Sequence, residues 1–170
     1  MIRVGIIGAG FMGRNHFNQY EKMSDRCQVI ALCDREADRR AGDWSKVGGN
    51  VADTKGSKRE LKGITPYTSW RDLLADPKVD MVDICVPTPA HRELTIAALE
   101  AGKHVLCEKP MSVCTSECDE MLAVASKARG KFMIAQVIRF WPEFVYLREV
   151  VQSREFGALR ALHIRRQASA

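Results

Sequence analysis

The chain has 170 residues, room for one ordinary domain or one domain and a fragment, and at this length folding buries roughly 70% of the unfolded chain's surface. Hydrophobic residues make up 46% and charged residues 28%, which excludes a disordered chain, and no apolar run approaches the roughly 18 residues that span a bilayer. The net charge of +5 and a pI near 9.0 raise nucleic acid as a partner, but the excess gathers in "DTKGSKRELK" (53–62) and "HIRRQ" (163–167) without interleaved aromatic residues, so solvated surface is expected and no nucleic-acid or membrane partner.

The chain opens with "IRVGII" (2–7), a β-branched run bounded by glycine, which predicts a strand buried on both faces. A helix is predicted from Phe11 to Met23, then a strand at 28–34 ("QVIALCD") and a helix from Arg35 over "READRRAGDWSKV". Residues 48–64 break the rhythm with four glycines and mixed charges, and are expected to form a mobile surface loop. "TPYT" predicts a short strand. Ser69 and Asp72 fit a capping box for the helix in "SWRDLLAD". "VDMVDICV" (79–86) is the fourth strand. Thr88 is the expected cap of the next helix, with Pro89 at its first position and Gly102 past its end. "KHVLCE" (103–108), a helix over 115–130 and "KFMIAQVIRF" (131–140) complete the pattern.

Strands alternating with helices at this spacing predict an α/β fold with a doubly wound parallel sheet, a Rossmann arrangement, over 1–142. Its strand ends would bring Gly8, Asp34, Pro87, Glu108 and Arg139 to one rim. Residues 143–170 read differently: a helix ending at Gly157, then a half-buried strand in "ALRALHIRRQAS". A lone strand is not stable by itself, so this segment is expected to begin a second α/β domain that continues beyond residue 170.

"GAGFMG" places Gly8, Gly10 and Gly13 in a G-x-G-x-x-G pattern between a strand and a helix, with Phe11 and Met12 inside it. Asp34 follows 21 residues after Gly13. That context is the dinucleotide fingerprint: a tight turn, close approach of backbone to a pyrophosphate, and a helix N-terminus facing the anion. Asp34 can accept bonds from both ribose hydroxyls of an adenosine, which favours NAD. Arg35 beside it could stack on adenine or accept an extra phosphate, which leaves NADP open. Pro87, Thr88 and Pro89 stiffen the loop after the fourth strand, and His91 in the following helix is either a capping residue or a cofactor contact. At "EKP", Glu108 could bond a nicotinamide ribose, and Pro110 could fix the turn. Lys109 could stabilise a developing alkoxide or relay a proton; a surface salt bridge is the competing reading.

The six cysteines form no C-x-x-C pair, so no metal site is expected. Cys33, Cys85 and Cys107 read as small buried hydrophobes at strand ends. Cys114 and Cys118 stand four apart and keep a weaker metal or redox reading. Free thiols in this number fit a reducing compartment. The start also lacks a basic segment ahead of an apolar stretch, so a cytoplasmic location is expected.

The stretches "RVGIIGAGFMGRNH", "VDICVPTPAHRELTIAALEAGKHVLCEKPMS" and "GKFMIAQVIRFWPEF" together resemble the glucose–fructose oxidoreductase and inositol dehydrogenase family, over 1–34 and 79–157, with 48–64 as an insertion. The resemblance implies a Rossmann domain followed by a larger α/β domain with an open antiparallel sheet. It also implies NAD(P)-dependent oxidation of a sugar, inositol or related polyol, and a homo-oligomer at full length. Lys109 is similar to the family's lysine near the reacting hydroxyl, Glu108 to its ribose-binding glutamate and Pro110 to its turn proline. His16, Thr88 and His91 fall in cofactor-lining stretches, and Arg139 and Phe140 at the active-site edge. The family's aspartate and histidine four residues apart would lie beyond residue 170. His163 is not that histidine, because residue 159 is Leu159. The chain by itself is therefore expected to bind coenzyme and to be inactive. A non-catalytic dinucleotide-binding sensor is the alternative.

Overall fold

A computed structural model describes residues 1–49, 58–165 and 167, arranged as two compact units, 1–135 and 136–170. The first unit closes at Ala135, short of the boundary expected at 142. The expected mobile loop at 48–64 lies largely outside the described residues. Its described end is tied down: Lys58 bridges Asp43, with Nζ 2.8 Å from Oδ2.

The first unit is a single parallel sheet in the order β3-β2-β1-β4-β5-β6. Its strands are β1 (Ile2–Ile7), β2 (Cys27–Cys33), β3 (Thr65–Tyr67), β4 (Met81–Ile84), β5 (His104–Cys107) and β6 (Phe132–Ile134). The chain winds outward from β1 through β2 to β3, then returns to β1's other side. The strand order thus reverses between β1 and β4, which opens a crevice at their carboxyl ends. The helices are α1 (Phe11–Lys22), α2 (Ala37–Arg40), α3 (Trp70–Ala75), α4 (His91–Glu100) and α5 (Thr115–Ala125).

The strand's period of two divides the core. Val4 and Ile6 of β1 join one cluster with Phe17 and Tyr20 of α1, while Ile7 joins the other with residues of α3 and α4. Trp44, fully buried in the segment after α2, meets Phe17 edge-on at 5.2 Å between ring centres. Burying such a side chain contributes about 1.5–3 kcal/mol. At the amino end of β5 Lys103 is also buried, and its ammonium donates to the carbonyls of Asp76 (2.7 Å) and Val79 (2.8 Å). That lysine staples the turn before β4 to the start of β5.

Several local expectations are corrected. The second helix is one turn, Ala37–Arg40, because Gly42 adopts a left-handed φ of 81° and the chain turns inward to seat Trp44. Ser69 precedes α3, but its side chain makes no capping bond. Thr88 is not a cap either: Thr88–Ala90 form a 3-10 turn leading into α4 at His91. The sixth strand ends at Ile134, and Val137–Phe140 form a 3-10 turn in the second unit. Arg139 and Phe140 are therefore not at a strand end.

In the second unit, α6 (Pro142–Ser153) ends with Arg154 in the left-handed conformation, three residues before Gly157. The described residues from Ala158 onward form no strand and are exposed. Trp141 and Phe144 stack edge-on at 6.4 Å beside Leu147 and Ile164. Among the described residues no helix is long and apolar enough to cross a membrane.

Candidate coenzyme site

The strand ends of the first unit are laced together. Gly8 N–H donates to the Cys33 carbonyl (2.7 Å), Cys85 N–H to that of Ile7 (2.8 Å) and Glu108 N–H to that of Ile84 (2.9 Å). Above them lies a cleft of about 1080 Å³, walled by the glycine turn, by Asp34 and Arg35 after β2, and by Val86 and Pro87 after β4.

The three glycines of the turn have different reasons to be glycine. Gly8 has a φ of 95°, and a Cβ there would stand 2.4 Å from the Cys85 carbonyl oxygen. A Cβ on Gly13 would lie 1.8 Å from the Gly8 oxygen, so the return of α1 over β1 needs a bare backbone. Gly10 is different. Its φ of −74° suits any residue, and the nearest atom to an added Cβ is a guanidinium nitrogen of Arg39 at 4.0 Å. Nothing in the protein demands glycine there, yet the space faces the cleft. Gly10 also begins α1 with no side-chain cap, and no acid stands in the first turn. The first amides of a helix have no intrahelical partner, so this end is left for an anion. A dinucleotide's pyrophosphate fits such a cradle.

Asp34 is buried at the end of β2. Its Oδ2 accepts from Ala9 N–H at 2.7 Å and its Oδ1 from Glu36 N–H at 2.9 Å. The carboxylate is thus fixed beside the glycine turn with lone pairs to spare. Arg39 lies 3.8 Å from it, and Arg39, Arg35 and Lys46 give this end of the cleft a positive border. The structure also places Ser69, Trp70 and Arg71 in the wall. Sequence reasoning missed these residues, although they follow the end of β3 just as Asp34 follows β2.

The remaining candidates divide. Gly8, Gly10, Phe11, Asp34, Arg35 and Pro87 line this cleft; Met12 and Gly13 continue from the glycine turn into α1, Thr88 and His91 follow the loop after β4, and Glu108, Lys109 and Pro110 stand just after β5. His91 is 1% exposed, and its nitrogens are taken by backbone: Nδ1 lies 2.9 Å from the Pro110 oxygen and Nε2 2.9 Å from the Val86 oxygen. It ties the loop after β4 to the loop after β5. The Lys109–Pro110 bond is cis. The Lys109 side chain is exposed, and its ammonium makes no hydrogen bond or ion pair among the described residues.

Glu108 is buried at the mouth of β5. Its Oε2 accepts from Lys109 N–H at 2.9 Å, and its Oε1 is 3.1 Å from His16 Nε2. His16 Nδ1 is 2.9 Å from Asp83 Oδ2, which also accepts from Tyr20 Oη at 2.8 Å. Cys85 Sγ stands 3.4 Å from both His16 Nδ1 and Asp83 Oδ1. Ligand atoms of His16, Asp83 and Cys85 lie within 4.8 Å of one another, but each is already hydrogen-bonded to another member of the set. Burial by itself pushes the His16 ring's pKa down; the bonds to Asp83, Cys85 and Glu108 outweigh it and hold the ring protonated well above the usual histidine range. Glu108 is held below its ordinary value: burial raises it, but His16, the Lys109 amide and the Lys109 charge prevail. Burial pushes the Cys85 thiol up to about 12, so it stays neutral. Cys33 and Cys107 are buried as expected, whereas Cys114 is exposed.

Residues 2–136 match the family model described as the oxidoreductase family, NAD-binding Rossmann fold, of the Gfo/Idh/MocA group. The inositol 2-dehydrogenase of Salmonella typhimurium is 29% identical over 95% of this chain, and the myo-inositol 2-dehydrogenase of Thermotoga maritima 32% identical over 96%. The chain covers 45% and 44% of those two proteins, somewhat under half of their length. Among solved structures, the WlbA dehydrogenase of Chromobacterium violaceum, in complex with NADH and UDP-GlcNAcA, superposes with a TM-score of 0.76 at 28% identity, over 92% of this chain and 41% of that one. The six-stranded order, the glycine turn and this match over most of its length together make the chain a member of the Gfo/Idh/MocA oxidoreductase family, with its NAD-binding Rossmann fold.

Proposed function

We propose that this chain is the coenzyme-binding part of an NAD-dependent dehydrogenase acting on a hydroxyl of a sugar, inositol or related polyol. The observation that carries the reading is Gly10, a glycine the protein itself does not need, at an uncapped helix start beside a fixed Asp34. The amides of Phe11, Met12 and Gly13 would hold the pyrophosphate, and Asp34 would accept from the adenosine ribose. Arg35 and Arg39 border the adenine end. When bound, NAD supplies the hydride acceptor. The substrate's carbinol C–H bond breaks with its electron pair, the hydroxyl proton leaves to a base, and the carbon becomes a carbonyl. Lys109, whose ammonium makes no hydrogen bond or ion pair among the described residues, stabilises the oxygen as negative charge develops on it.

The substrate class rests on the inositol dehydrogenases and on the sugar-nucleotide complex among the relatives. The chain spans somewhat under half of these relatives, and the base is assigned outside its 170 residues; a homo-oligomer is the proposed assembly. The 170-residue chain should therefore bind NADH without turning over substrate. Calorimetric titration with NADH and NADPH is the test. NADH should bind, and the more tightly of the two; an absence of heat with both would overturn the reading.

A further inference from the structure

Asp83 is a carboxylate in the middle of a buried strand. It is 0% exposed and lies in register between Ile6 of β1 and Leu106 of β5. A charge so buried is costly unless fully partnered. Here the oxygens receive Tyr20 Oη, His16 Nδ1 and Cys85 Sγ, so the core itself holds His16 in one orientation. The far nitrogen of His16 then reaches out to Glu108 Oε1. A chain of bonds thus runs from Tyr20 through Asp83 and His16 to a carboxylate at the rim.

We propose that His16 is a positioning residue: it holds the Glu108 carboxylate ready to receive the ribose hydroxyls at the nicotinamide end of a bound coenzyme. The inference rests on the proposed coenzyme function. Glu108 uses one acceptor site for His16 and one for the Lys109 amide, and a carboxylate has about four, so lone pairs remain. A free glutamate side chain would lose rotamer freedom on meeting the ligand. One already fixed does not, and binding is tighter for it. A brace that merely joined α1 to the sheet would need only the Asp83 bond. The second bond, to Glu108, is the one a structural role leaves unexplained.

The test compares NADH with ADP, which has the adenosine and pyrophosphate but no nicotinamide ribose. His16→Asn places an amide where Nδ1 was and keeps the Asp83 bond but cannot reach Glu108; His16→Gln reaches toward Glu108. With His16→Asn the Kd for NADH should rise about tenfold, the scale of one charged hydrogen bond, while ADP stays within about twofold; His16→Gln should recover most of the loss. Equal weakening of both ligands, or no change in NADH, overturns the proposal. Should His16→Asn lose its circular dichroism signal, Glu108→Gln takes its place and must show the same selective loss, or the proposal falls. If the unmodified chain binds neither ligand, the coenzyme function itself fails. If it binds both and the selectivity is missing, only the role of His16 fails.

Discussion

His91 Nδ1 stands 2.9 Å from the carbonyl oxygen of Pro110, nineteen residues away, inside a wall from which the ring is almost wholly screened. With Nε2 on the Val86 carbonyl, the ring ties the loop after β4 to the loop after β5. His91→Leu fills much of the same volume but removes the ring nitrogens that stand 2.9 Å from the two carbonyls. It should cost about 1–3 kcal/mol in urea unfolding. A change below about 0.5 kcal/mol, the range of an ordinary surface substitution, would show that the tether contributes nothing.

Gly10 and Gly13 should separate binding from stability. Gly10→Ala meets nothing closer than an Arg39 guanidinium nitrogen at 4.0 Å, so it should change stability by less than about 1 kcal/mol while lowering NADH affinity at least about tenfold, because the methyl group would enter the pyrophosphate space. Gly13→Ala collides with the Gly8 oxygen and should cost about 1–3 kcal/mol or more, as overpacking does. Thermal unfolding and calorimetry on the two variants give both readouts. Loss of stability at Gly10 with binding intact would reverse the assignment.

Lys109→Ala, tested in a form of the protein that turns over substrate, should lower kcat by about a hundredfold or more, the usual scale for removing an electrostatic partner of a developing oxyanion, with NADH affinity changed less than about threefold. The ammonium makes no hydrogen bond or ion pair among the described residues and acts on Glu108 only through its charge, so the fold should suffer little. An unchanged kcat would remove Lys109 from the chemistry.

The His16–Glu108 pair predicts a stability window. His16 faces Asp83, Cys85 and Glu108, and its pKa is raised above the ordinary 6.5; its contribution is fully present below about pH 6.5 and is lost as pH rises beyond it. Glu108 faces His16 and Lys109, and its pKa is lowered from 4.5; its contribution is present above about pH 4.5 and is lost as pH falls. The pair therefore stabilises most between about pH 4.5 and 6.5. The Tm difference between the unmodified protein and His16→Asn should be largest in that window and narrow above it. A difference that grows toward alkaline pH would refute the charge assignment.

The strand and helix rhythm, the glycine turn and Asp34 were legible in the chain because each is a local signal: apolar runs of strand length, glycines at fixed offsets, an acid at the end of the next strand. The one-turn α2, the 3-10 turn at Thr88 and the early end of β6 were not. At α2 tertiary packing overrode a local pattern, where the chain turns in at Gly42 to bury Trp44. The tail after Ala158 has alternating apolar residues but no partner strand among the described residues, and alternation without a partner does not make a strand.

By itself, the order of residues determined the fold class, the anion-binding turn and the acidic residue beside it, since these depend on spacings within one strand–turn–helix unit. Only the tertiary structure decided which polar groups meet. His16 and Asp83 are 67 positions apart, and Glu108 is farther still; what joins them is that β4 lies next to β1 and β5 next to β4. No periodicity along the chain encodes that order, so the partners of His16, and the burial of His91 between two carbonyls, followed from how the strands were laid side by side.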